Sequence, residues 1–107
     1  MNAETSQDPA NSELTVTEQL QQEMAPISFQ ELQKFFARGV MIVVDRSLDL
    51  VTVAVALHED NAQQLQQWLD MGLVNRAQDE QAQKWVDERT EFMAVTVAPW
   101  VLVQEMK

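Results

Sequence analysis

Cysteine and tyrosine are both absent from this chain of 107 residues, histidine occurs once, glycine twice and proline three times. Without cysteine there is no disulfide scaffold, no thiolate metal site and no cysteine nucleophile. The single histidine, His58, is the only side chain that titrates near neutrality without a perturbed pKa. Two glycines, Gly39 and Gly72, cannot build a phosphate-cradling loop, which brings several backbone amides close to an anion. Dinucleotide-binding and P-loop spacings are therefore excluded, and the composition implies no cofactor.

Basic residues are also scarce. Seven Lys and Arg stand against 17 Asp and Glu, a formal net charge of -10. The bases are scattered at Lys34, Arg38, Arg46, Arg76, Lys84, Arg89 and Lys107. Phosphate binding needs clustered bases that release counterions, so nucleic acid is not the expected partner. An anionic membrane surface is disfavoured for the same reason. The longest apolar runs, 40–44 and 97–103, fall far short of a membrane span. The first fifteen residues lack the basic and apolar regions of a secretory signal, which points to the cytoplasm.

What is present is one small domain's worth of apolar pattern. Residues 1–12 are polar and aperiodic, and read as a disordered acidic tail before a domain over 13–107. A thin stripe of Leu14, Thr17, Leu20 and Met24 predicts a helix that forms only if it docks. The stretch PISFQELQKFFARG carries complete punctuation for a second helix. Ser28 and Glu31 make a capping box, Ile27 and Leu32 a hydrophobic staple, and Gly39 the left-handed stop. Residues 40–45 then read as a buried central strand.

Residues 48–57 fit either an alternating strand or a helix capped by Ser47, with Asp49 in its first turn. Helix is preferred, because the alternate face is alanine rather than polar. Asp60 and Gln63 cap a further helix that stops at Gly72, and 78–88 make another, with Trp68 and Trp85 facing inward. Strand segments follow at 73–76, 92–97 and 100–104. Pro99 places the last pair at an edge, a bulge or a tight bend. The expected fold is α+β, about four helices on a small mixed or antiparallel sheet of three to four strands, with the 40–45 strand central and the Pro99 region at an edge.

The stretches FQELQKFFARG, VVDRSLDLVTVAVAL, QQWLDMG and PWVLVQE, in this order and spacing, resemble a small uncharacterised bacterial family, domain-of-unknown-function family 2288. The resemblance spans roughly residues 24–105. It implies a bacterial, cytoplasmic, single-domain protein and carries over neither an activity nor a catalytic residue.

Candidate functional residues are few. Asp45 ends a predicted strand, where functional groups of open α/β sheets gather, and Asp49 would face the same end. Arg38 could pair with Asp45. The competing structural reading makes these a turn residue, a helix-dipole partner and an ion pair. His58-Glu59-Asp60 reads as a solvated loop or cap, because a metal needs three converging ligands and sequence neighbours point different ways on a helix. Asp87, Glu88 and Glu91 read as a solvated helix end, because nothing in that polar stretch suggests the burial that acid–base work requires. Trp100, beside Pro99 at an expected edge, is a candidate interface anchor. The preferred function is a non-catalytic interaction or accessory protein, with a protein partner or a second copy of itself. The alternative is a small hydrolase or isomerase using Asp45 and Asp49.

Overall fold

Each helix boundary follows from a specific cap. The structure, a computed structural model, describes residues 15–106. The predicted tail over 1–12 lies outside the described residues. Helix α1 (Val16–Glu23) opens on a reciprocal box in which the Thr15 side chain accepts from the Glu18 amide and Glu18 accepts from Thr15 N–H. A thin stripe does dock, through Val16, Leu20 and Met24, while Thr17 points to solvent and Leu14 lies outside the described residues. Strand β1 (Ala25–Ser28) leads straight into α2 (Phe29–Arg38), where the Ser28 hydroxyl accepts from the Glu31 amide at 3.3 Å. Gly39 closes α2 with φ 76°, the left-handed conformation that glycine adopts without a Cβ penalty.

Strand β2 (Met41–Val44) follows, and then α3 (Leu50–His58). The ambiguous stretch is a helix, as preferred. Its cap is Asp49 rather than Ser47: the Asp49 carboxylate accepts from both the amide and the hydroxyl of Thr52. Helix α4 (Ala62–Asp70) likewise starts one residue later than expected, on Asn61, because Asp60 is held at φ 57° in the preceding turn. Strand β3 (Val74–Arg76), helix α5 (Asp79–Glu88) and strands β4 (Glu91–Val97) and β5 (Trp100–Glu105) complete the described chain.

The five strands form one mixed sheet in the order β1-β4-β5-β2-β3, with β2 and β5 parallel and the other pairs antiparallel. The α+β class stands, with five helices and five strands among the described residues instead of about four and three to four. Three expectations about the sheet change. The central strand is β5, and β2 lies one place nearer the edge. Both are apolar runs buried on two faces, which the sequence pattern alone cannot rank. The Pro99 region is no edge: Ala98 and Pro99 form the link between β4 and β5, where Val97 pairs with Trp100. There the missing proline donor costs the ladder nothing. It is Pro26, in the unpredicted edge strand β1, that obeys the edge rule.

Alternation along the strands splits the core. On one face Leu102, Val95, Val44 and Val74 pack with Leu20 of α1, Leu50, Val53 and Ala54 of α3, and Trp68 of α4. On the other, Met41, Phe92, Val101 and Val103 pack with Phe29 and Leu32 of α2 and Trp85 of α5. The inward placement of Trp68 and Trp85 is as expected; Trp85 sits 5.1 Å, edge to face, from Phe92 and 5.4 Å from Phe29.

Candidate functional site

Two places on the surface combine concavity with distinctive chemistry. The first is polar and lies at the carboxyl end of β2, lined by Asp45, Arg46, Asn75, Gln81 and Glu105. Asp45 is exposed, and its carboxylate accepts from the Ser47 amide at 2.9 Å in a local turn. The hydrogen bonds from the Ser47 hydroxyl and amide hold its carboxyl below the usual range, with a further contribution from the Arg46 charge. Such a group stays ionised at neutral pH. General acid chemistry needs the opposite, a buried carboxyl pushed upward.

The fold does not bring the other two members of that predicted group together with Asp45. Asp49 does not line this cleft, and its carboxylate is engaged as the cap of α3. Arg38 ends α2 on the far side of β2, so the four residues of the strand stand between it and Asp45, on the order of 13 Å at about 3.3 Å each. Among the described residues, no three His, Cys, Asp or Glu side chains are grouped so as to hold a metal. His58 ends α3, exposed, and Asp87, Glu88 and Glu91 are exposed as well.

Gln104 is the residue that the sequence reading undervalued. The residue before it, Val103, is the last β5 residue in the parallel ladder, opposite Val43. Beyond that point the Gln104 amide donates to the Asp45 carbonyl at 2.9 Å and the Leu48 carbonyl at 2.7 Å. One side chain thus ties the β2–α3 loop to the central strand. Glu105, its neighbour, points to the opposite face and accepts from the Trp85 indole at 2.9 Å.

The second place is apolar. Ile42 of β2, Val53 and Leu57 of α3, Leu65 and Leu69 of α4, Val74 of β3, and Trp100 and Leu102 of β5 enclose a cleft of about 220 Å³. No acidic residue lines it. Trp100 is half-buried in its wall, and the Arg76 guanidinium lies over the indole face, 5.2 Å from the ring centroid. Leu69, 46% exposed, stands at the rim, and Met71, 68% exposed, follows it two residues along. Trp100 is therefore near an opening, although it sits on the central strand β5 itself and the opening lies on a sheet face beside the edge strand β3.

The family described as "Protein of unknown function (DUF2288)" matches residues 15–105. Among solved structures the chain is similar to the NMR solution structure of PA1075 from Pseudomonas aeruginosa, at 38% identity, with 89% of each chain covered and a TM-score of 0.77. No curated protein matches. No helix among the described residues is long and apolar enough to cross a membrane.

Proposed function

The chain belongs to the DUF2288 family, and from that premise we propose that it is a non-catalytic interaction protein of the bacterial cytoplasm that works through the apolar cleft beside Trp100. The observation that carries this reading is the lining itself: eight of the ten lining residues are hydrocarbon or indole, and none is acidic, in a chain of net charge -10. Binding pockets are concave and mainly apolar, with a few placed polar groups that set orientation. The low count of scattered bases supports a partner other than nucleic acid. Both carboxylates of the hydrolytic alternative are exposed, and that of Asp45 is held below its usual range by the Ser47 hydrogen bonds, which leaves that alternative without support.

The test is methyl NMR with benzene, which occupies dry apolar cavities. Saturable shifts confined to Leu57, Leu65, Val74 and Leu102 support the reading, and uniform or absent shifts overturn it. A second reading, self-association over the same face, is favoured by the exposure of Leu69 and Met71. It predicts a sedimentation coefficient that rises with concentration and is flattened by Met71→Glu.

A further inference from the structure

We propose that the cleft takes a medium-chain carboxylate, its alkyl body against Leu57, Leu65 and Trp100 and its head on Arg76. This assignment rests on the reading of the cleft as a binding site and adds the chemistry of the occupant. Size comes first. A dry apolar cavity of about 150 Å³ holds benzene, six carbons. By that measure about 220 Å³ takes roughly eight or nine carbons.

The head group follows from charge. Arg76 is the one charged residue lining the cleft, and among the described residues it has no ion-pair partner. A guanidinium presents a planar fork of donors that matches a carboxylate bidentately. Here the guanidinium already lies over the Trp100 ring, so less side-chain freedom is lost when an anion arrives. The preceding residue, Asn75, turns its side chain to the opposite face of the sheet with its pairing partner Val43, and its amide donates to the Gly72 carbonyl at 3.0 Å. The site therefore offers one anion-binding group at one end of a hydrocarbon trough.

Position supports the same arrangement. Arg76 pairs with Ile42 across β2 and β3, and Ile42 pairs with Leu102 across β2 and β5. Arg76 thus sits at the outer end of a row whose inner members form the cleft floor. An occupant lying along the floor would have its head at the solvent side, where a carboxylate keeps part of its hydration.

The experiment is calorimetric titration of the full chain with octanoate and with 1-octanol, together with the variants Arg76→Gln, Arg76→Lys and Leu65→Trp. Octanoate should bind one site, at least about tenfold tighter than octanol, since a hydrogen-bonded ion pair is worth that much. Arg76→Gln should bring octanoate down to the level of octanol, with Arg76→Lys between them. Leu65→Trp, which fills the trough, should abolish both; Leu57→Trp serves the same purpose if the first variant unfolds. Equal binding of octanoate and octanol, unmoved by Arg76→Gln but lost in Leu65→Trp, overturns the carboxylate and leaves the cleft as a binding site. No binding of either probe to the wild-type chain overturns both. A peptide ending in leucine that binds tenfold tighter than octanoate would replace the free acid by a protein terminus and overturn the assignment.

Discussion

Replacing Gln104 by methionine tests whether a single side chain anchors the β2–α3 loop. Methionine keeps the length and flexibility of the side chain and removes both donors. The Asp45 carbonyl keeps a second donor, the Leu48 amide at 3.0 Å, whereas the Leu48 carbonyl loses its 2.7 Å partner in a part-buried setting. At about 0.5–1.5 kcal/mol net per bond, the two bonds are worth about 1–3 kcal/mol, with most of the loss at Leu48. Urea unfolding should show a midpoint lowered by about 1 M with an unchanged slope. Amide exchange should accelerate at Ser47 and Leu48 and not at Phe29 or Leu32 on the other face. Gln104→Glu should be worse than methionine, since carboxylate oxygens would then face two carbonyls. A methionine variant within about 0.5 kcal/mol of wild type, or a glutamate variant more stable than methionine, would refute the anchoring argument.

Trp85 is 1% exposed and packs on Phe29 and Phe92, so Trp85→Ala should cost about 3–5 kcal/mol in chemical denaturation; Trp85→Phe, which keeps ring contacts and loses the Glu105 hydrogen bond, should cost clearly less. Leu20 is the one buried residue of α1, 6% exposed, and Leu20→Ala should cost about 2–5 kcal/mol with loss of far-UV helical signal; an unchanged spectrum and midpoint would show that α1 contributes nothing to the core. For Asp45 the folded pKa lies below the ordinary value of 3.8, so its contribution is fully present above that value and is lost as pH falls through the folded pKa. Asp45→Asn should therefore narrow the stability difference between wild type and variant as urea midpoints are followed from pH 5 down to 2, and a constant difference would contradict the Ser47 hydrogen bonds as its source.

The parts of this fold that could be read in advance are those whose cause is local. The Ser28 cap, the staple of Ile27 and Leu32 and the Gly39 stop are contacts within about one turn, and α2 begins and ends where they say. The 48–57 stretch resolved as a helix for a less local reason. Leu50, Val51, Val53, Ala54 and Ala56 are all buried, because α3 packs on the sheet while α1 and α4 flank it. An all-apolar helix of this kind has no amphipathic stripe to read. Strand order had no local signature at all. Runs 40–44 and 100–103 are equally apolar, and only the pairing of β4 with β5 puts the latter at the centre.

The cleft was illegible for a related reason: it is a product of register. Its lining comes from β2, α3, α4, β3 and β5, across sixty residues of chain, and each apolar member taken singly reads as an ordinary packing residue. Trp100 stood out in the sequence only through Pro99, and Arg76 only as one of seven scattered bases. They meet because Arg76 lies opposite Ile42 in a three-residue strand. Side chains alternate faces along a strand, so a slip of one residue in the β2–β3 pairing would turn Arg76 away and present Asn75 to the cleft instead. What holds that register is at the two ends of β3: the Asp45 amide donates to the Leu73 carbonyl at 2.8 Å, and the Ala77 amide donates to the Met41 carbonyl at 3.0 Å. The Asp45 end of this bracket is the loop that Gln104 ties to the central strand. The polar anchor on one side of the sheet's end and the guanidinium over Trp100 are thus linked through three residues of β3, and loosening the first should show as broadened resonances at the second.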